Sequence, residues 1–280
     1  MYDRYAEVYD RSGQIQFSFR MIPYLAELLA RHGWKGQRIC DLACGTGTLA
    51  IALARPSGSD DTSRLRVYGV DASGAMLKQA RAKAAEAGVS VSWHQQDMRD
   101  FTLPEPVDLV TCCYDSLNYL LSVDDLAKTF RHVALALDRG GLFAFDVNTT
   151  WLYENLHAGG TFFSEADGLA IVIQGTYDAE KRLAIADIVG FVRRGSTGCH
   201  SYQDTSPTGE TPSSSAQENL YERFKETHPQ RAFTDEEIAS ALATVGLREE
   251  ARYHCFDFKP PGPETPKVMW VARKCYGQAH

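Results

Sequence analysis

The 280-residue sequence has no run approaching the roughly 20 consecutive apolar residues that cross a bilayer. Its first residues also lack a basic stretch followed by an apolar run and a cleavage site. Neither membrane insertion nor export is expected, and the cytoplasm is the expected location. Basic charge is short as well: 29 Lys and Arg against 36 Asp and Glu leave a formal charge of −7, which disfavours a surface that grips phosphate backbones by charge. Nucleic acid is therefore not the expected partner. The seven cysteines are an odd number and scattered, and the adjacent pair Cys112-Cys113 has neither disulfide nor zinc spacing. The chain reads as reduced, with no metal site and no internal repeat.

What is present suffices for one α/β domain with a modest insertion, since 44% of the residues are hydrophobic. Ile22, Leu25, Leu28 and Leu29 recur at helical spacing within Phe17 to Arg31, which ends at Gly33 and predicts an amphipathic helix. Short apolar strands are predicted at Arg38 to Ala43, Arg66 to Asp71, Val89 to His94, Val107 to Cys112 and Leu142 to Val147, with helical stretches such as Ser73 to Ala87 between them. Alternating β and α predict a doubly wound, mostly parallel, Rossmann-like sheet.

Beyond Asn148 the pattern changes. Leu169 to Tyr177 and Arg182 to Arg193 read as a hairpin, and Asn219 to His228 as a third strand. Gly195 to Ser215, rich in Ser, Thr, Gly and Pro, reads as a loop. Thr234 and Glu237 form a capping box ahead of Ile238, Leu242 and Val245, and strands near Glu250 to Phe258 and Val268 to Arg273 close a seven-stranded sheet. The expected division is a helix and cofactor core over 1–150, an inserted antiparallel β cap over 151–232 that serves a substrate or a dimer contact, and the rest of the core sheet over 233–280.

The segment Asp41-Leu42-Ala43-Cys44-Gly45-Thr46-Gly47 ends the first strand in a small-residue turn that feeds a helix near Thr48. Its glycines allow positive φ and close approach of a ligand. Gly45-x-Gly47-x-x-Ala50 also fits a dinucleotide fingerprint, and Asp71, ending the second strand, suits the ribose hydroxyls of any adenosine. These residues alone leave nicotinamide and adenosylmethionine both open.

The ordered series Tyr-Asp (Tyr9-Asp10), Asp41 to Gly47, Gly-Val-Asp-Ala-Ser ending at Ser73, Gln96-Asp97-Met98-Arg99 and Asp115-Ser116-Leu117-Asn118-Tyr119-Leu120 resembles the motifs of class I S-adenosylmethionine methyltransferases, over about Tyr5 to Asn148. Within that family it is most similar to small-molecule members such as the amino-sugar N-methyltransferases. The resemblance implies S-adenosyl-L-methionine as cofactor and S-adenosylhomocysteine as product. It assigns Ala43, Cys44, Gly45 and Gly47 to the methionine end, Asp71 to the ribose, Asp97 with the Met98 backbone to the adenine, Ala72, Met76 and Gln96 to the cofactor site, and Tyr9 to an N-terminal lid. Asp41, Cys112 and Cys113 are expected to line the cofactor site, the cysteines as small apolar groups. Ala43 stands where many members carry the first glycine.

Methyl transfer from a sulfonium is an in-line displacement that needs alignment in a dry site more than a covalent nucleophile. Polar groups beyond the fourth strand are the candidates, with Tyr119 in the position that such relatives place near the acceptor amine. Asp115, His228 or His254 would serve as general base toward an oxygen acceptor. The expected function is methyl transfer to N or O of a small molecule, with an NAD-dependent oxidoreductase, a non-catalytic cofactor binder and a tRNA-modifying enzyme as alternatives.

Overall fold

The computed structural model describes residues 2–55, 65–194 and 220–275. Arg38–Leu42 (β1), Arg66–Asp71 (β2), Ser92–Gln95 (β3), Val107–Cys112 (β4), Leu137–Asn148 (β5), Leu247–His254 (β10) and Lys267–Lys274 (β11) form one sheet in the order β10-β11-β5-β4-β1-β2-β3. The pairs among β1 to β5 are parallel, and β11 runs against both β5 and β10. The predicted Rossmann-like, mostly parallel sheet is thus the observed one. Helices Gln16–Arg31 (α1) and Thr48–Ala54 (α2) accompany one face. Gly74–Glu86 (α3), Val123–Ala136 (α4) and Asp235–Thr244 (α6) complete the layers, and a short helical turn at Thr150–Leu152 (α5) leads out of β5.

Two apolar clusters show why these segments hold. Met21, Leu25 and Leu28 of α1 pack on Ile39, Leu109 and Ala144, the residues of β1, β4 and β5 that face that side. On the other face Phe130, Val133, Ile238 and Leu242 from α4 and α6 cover Cys40, Val110, Phe143, Phe145 and Trp270. Neighbouring residues of one strand thus serve opposite layers, as the two-residue period requires. The capping box is made: Thr234 accepts from the Glu237 N–H while the Glu237 carboxylate accepts from the Thr234 N–H.

A second sheet of four antiparallel strands, in the order β6-β7-β8-β9, comprises Thr161–Ala166 (β6), Leu169–Asp178 (β7), Leu183–Arg193 (β8) and Tyr221–Arg231 (β9). Three of these strands match the sequence pattern. β6 does not, because Thr-Phe-Phe-Ser-Glu-Ala has no clean alternation and sits at an edge, paired with β7 alone. Other boundaries shift for local reasons. Val89 and Val91 pack against Ala50, Ala54 and Val67 ahead of the strand, and pairing of β3 begins at Ser92, opposite Tyr68. β5 starts at Leu137, directly after α4, and passes its Gly140-Gly141 pair as an irregularity opposite β4. The loop expected over 195–215 lies outside the described residues.

Candidate active site

The carboxyl ends of β1 to β5 open into a cavity of about 760 Å³, roofed by the N-terminal segment and by β7, β8 and β9. Ligands in open α/β sheets bind where neighbouring connections diverge, here between β1 and β4. Of the residues singled out from the sequence, Tyr9, Asp41, Ala43, Cys44, Gly45, Asp71, Ala72, Met76, Gln96, Asp97, Met98, Cys113, Asp115, Tyr119 and His228 line this cavity.

Around the turn after β1 the wall is mostly backbone. Ala43, Gly45 and Gly47 have φ of 56°, 54° and 75°, so the chain passes three times through the left-handed region. Asp71 holds it there: its Oδ2 accepts from the Gly45 N–H at 2.8 Å and its Oδ1 from the Ser73 N–H at 2.8 Å. Burial pushes the Asp71 carboxyl above its ordinary range, against those two donors. A Cβ built on Gly45 meets no atom within 4 Å, whereas one on Gly47 comes within 2.5 Å of the Trp93 ring. Gly45 thus leaves an open approach for a ligand, while Gly47 shapes the packing beneath it and does not line the cavity.

Asp41 is 3% exposed and accepts from Thr111 Oγ1 at 2.8 Å; burial pushes its carboxyl up to about 7, with that hydrogen bond opposing. Asp97 is clamped by Arg99 Nε and Nη2 at 2.9 and 2.6 Å, which holds it below the usual carboxylate range. The Gln96 side chain is committed to Thr102, donating to its carbonyl and accepting from its N–H, and so closes the loop after β3. Cys112 corrects an expectation: it is fully buried in the core cluster, because it lies one residue, and therefore one face, away from Cys113. Burial pushes both thiols well above their ordinary range, so neither is poised as a nucleophile.

The opposite half of the cavity is built from side chains. Tyr114 and Asp115 have φ of 64° and 46°, a conformation costly for residues with a Cβ. The Asp146 carboxylate on β5 holds them, accepting from both N–H groups at 2.6 and 2.8 Å. Lys267 Nζ bridges Asp115 at 2.7 Å and Asp146 at 2.8 Å, while Gln230 Nε2 donates to Asp115 at 2.7 Å. Phe17 stacks on Tyr114, ring centroids 4.3 Å apart, and the Lys267 ammonium lies 5.1 Å from the Phe17 centroid. Asp115 is thereby an anchored member of a charged cluster, not the free base expected from sequence. His254, the third candidate base, lies on β10 with Nδ1 against the Cys255 carbonyl and does not line the cavity.

Next to this cluster Tyr119 Oη lies 3.1 Å from His228 Nδ1 and 2.6 Å from Tyr2 Oη. Asn118, fully buried, fastens the Ser116–Tyr119 turn by bonding the backbone of Asn148 and Arg231. The N-terminal segment is stapled over the opening from several sides. Asp10 accepts from Thr46 and Lys83, Ser73 donates to the Tyr2 carbonyl, and Arg4 pairs with Glu222. Among the described residues no group of three or more His, Cys, Asp and Glu is placed to hold a metal ion.

Comparison with known proteins agrees with this architecture. Residues 39–141 match a family model described as a methyltransferase domain. The chain is 29% identical to the Bacillus subtilis protein YqeM over 85% of this chain and 84% of that one. It is 27% identical to the dTDP-3-amino-3,6-dideoxy-alpha-D-glucopyranose N,N-dimethyltransferase of Streptomyces fradiae, over 92% and 86% of the two chains. The structure of an S-adenosylmethionine-dependent methyltransferase from Clostridium acetobutylicum superposes with a TM-score of 0.78 at 25% identity, covering 98% of this chain and 99% of the other. The chain is a class I S-adenosylmethionine-dependent methyltransferase. Use of S-adenosylmethionine follows from that membership, and the oxidoreductase alternative falls.

In this methyltransferase the residues that sequence reading missed are Asp146, Lys267, Gln230, Glu226 and Tyr2. One left a signal: Asp146 is a carboxylate inside the otherwise apolar run Leu142 to Val147, and a charge in a buried strand needs a partner. Lys267, the partner, is 121 residues away. The methyltransferase has no described helix long and apolar enough to cross a membrane.

Proposed function

We propose that this methyltransferase binds S-adenosylmethionine along the ends of β1, β2 and β3 and transfers its methyl group to the nitrogen of a small polar amine held in the other half of the same cavity. The observation that carries this reading is the continuity of the cavity, from the open face of Gly45 beside Asp71 to Tyr119, His228 and Gln230 under the second sheet. Its volume of about 760 Å³ lies in the range of small-molecule sites, about 300 to 1,000 Å³. Asp71 would take the ribose hydroxyls, Ala43 to Gly45 and Asp41 the methionyl end, and Asp97 with Met98 the adenine side, with Met76 and Ala72 beneath. When bound, the cofactor supplies a methyl group on a positively charged sulfur.

The chain's own residues then position the acceptor and exclude water. Tyr9, Tyr5 and Phe17 supply aromatic surface, which favours cationic groups over bulk solvent only modestly, by about 0.5–1 kcal/mol where exposed and more when dry. Asp115 and Lys267 line this half with Asp146 fully buried behind them, so the cluster sets two carboxyl groups against one ammonium, which suits an amine. The Streptomyces fradiae relative is named as an amino-sugar N,N-dimethyltransferase, which supports the same class. Residues 151–232 serve as a substrate cap in this reading, since β7, β8 and β9 contribute Ile173, Ala186, Ile188, His228 and Gln230 to the cavity.

Incubation with methyl-labelled S-adenosylmethionine and a panel of amino sugars, nucleotide-linked amino sugars, phenols and bulk tRNA tests the proposal. Label is expected on amine members. Label on phenols alone would reassign the transfer to oxygen, and label on tRNA alone would overturn a small-molecule acceptor.

A further inference from the structure

Hydrogen-bond direction in the acceptor half is fixed by one carboxylate. Glu226 on β9 accepts the backbone N–H groups of Tyr2 at 2.9 Å, Asp3 at 3.1 Å and Tyr5 at 2.9 Å. Three backbone N–H donors stabilise the charged form of a carboxyl over the neutral one, so Glu226 stands ionised and acts as an acceptor only. Its Oε2 also lies 3.1 Å from His228 Nε2, which must therefore carry the hydrogen. In the neutral imidazole Nδ1 is then left with a lone pair, and Tyr119 Oη at 3.1 Å must donate to it. The Tyr119 oxygen in turn has lone pairs to receive a proton, and the Tyr2 hydroxyl at 2.6 Å now points at it. Tyr2 thus touches both ends of the relay, through its hydroxyl at Tyr119 and its N–H at Glu226.

Resting on the methyl-transfer reading of this cavity, we propose that Tyr119 and His228 form a proton-accepting relay for the methyl acceptor, with Glu226 as the positioning residue that sets the imidazole and ties its readiness to seating of the N-terminal segment. Tyr119 is the catalytic member, and His228, which also lines the cavity, is only 1% exposed. As the acceptor's lone pair bonds to the methyl carbon and the carbon–sulfur pair stays on sulfur, the acceptor's surplus proton passes to Tyr119 Oη. The tyrosine's own hydroxyl proton passes to His228 Nδ1. The resulting imidazolium keeps its Nε2–H on Glu226 and returns the proton to solvent after product leaves. Removal of a proton is required by any amine that is methylated twice and by any hydroxyl, so the relay suits acceptors of those two classes. Burial would by itself raise the Glu226 carboxyl, yet its bond to His228 and the two tyrosine N–H groups hold it down to about 2, consistent with a standing anion.

The test uses full-length protein with nitrogen-15 histidine, with and without S-adenosylhomocysteine. Wild type is expected to show His228 as the Nε2–H tautomer with an unprotonated, hydrogen-bonded Nδ1. Glu226→Gln can donate its amide to Nε2, and is expected to turn the ring to the Nδ1–H form. Arg4→Ala, which removes the exposed Arg4–Glu222 pair and leaves the relay and the N–H bonds to Glu226 in place, is expected to keep the wild-type tautomer. With a nucleotide-linked amino sugar as acceptor, Glu226→Gln and Tyr119→Phe should each lose about 100-fold in methyl-transfer rate, the scale of general-base assistance, while S-adenosylhomocysteine affinity stays within about twofold. An Nδ1–H tautomer in wild type, or unchanged tautomer and rate in Glu226→Gln, would overturn the relay. Loss of rate in step with loss of affinity would also overturn it, by marking a general disturbance of the site. Failure of wild type to bind S-adenosylhomocysteine would instead strike the cofactor reading and leave the tautomer result standing.

Discussion

Around the glycine turn the cavity wall is made of backbone held by neighbours in sequence or in the adjoining strand: Asp71 reaches Gly45 across one strand pair and Ser73 two residues on. Around Tyr119 it is made of side chains from the N-terminus, the ends of β4 and β5, β9 and the start of β11. The first half is rigid because hydrogen bonds of the main chain fix it. The second is fixed by buried charges paired with one another. A shared cofactor can be held by the former, and acceptor specificity can be varied through the latter without disturbing the fold.

If that contrast is right, removing a charge partner in the second half should cost the most. Lys267→Met leaves Asp115 and Asp146 facing each other without a counterion, and breaking such a buried set costs about 3–5 kcal/mol. Urea unfolding should show a midpoint lowered accordingly; a stability within about 0.5 kcal/mol of wild type, the usual range for inconsequential surface changes, would mean that the cluster is not what holds Tyr114 and Asp115 in their strained backbone.

The two glycines sharpen the comparison within the first half. Gly47→Ala should destabilise by about 1–3 kcal/mol through overpacking against Trp93 and Ala80, apart from the strain of its positive φ. Gly45→Ala meets no neighbouring atom, so its fold should lose only about 1 kcal/mol from conformation. Its cofactor affinity should nonetheless fall at least tenfold, because the added methyl projects toward the ligand. Thermal unfolding and calorimetric titration of the pair separate the two effects; equal stability losses with unchanged affinity in Gly45→Ala would place the ligand elsewhere.

The same division explains what could be read from the sequence. Strand alternation, the capping box at Thr234 and the turn from Asp41 to Gly47 are local patterns, and the sheet they predict is the one observed. β6 escaped because an exposed edge strand carries no apolar alternation. Cys112 and Cys113 could not be assigned to opposite faces until the strand's orientation was known. In the second half the residue types at Tyr119, Asp115 and His228 were visible, but their partners were not. Nothing near Asp115 in sequence announces Lys267, 152 residues away, and nothing in Tyr2 or Glu226 announces that one supplies the backbone N–H which the other accepts.

Calorimetric titration of the full-length protein with S-adenosylhomocysteine, beside an Asp71→Ala variant, tests the account most directly. Removing Asp71 leaves the Gly45 and Ser73 N–H groups without their acceptor and takes away the carboxylate assigned to the ribose, together worth about 1.5–3 kcal/mol for hydrogen bonds to a charged group. The predicted result is saturable binding of one ligand per chain that weakens by about 10- to 100-fold in the variant. Equal affinity in the two proteins, or no binding to wild type, would contradict the placement of the cofactor at this turn.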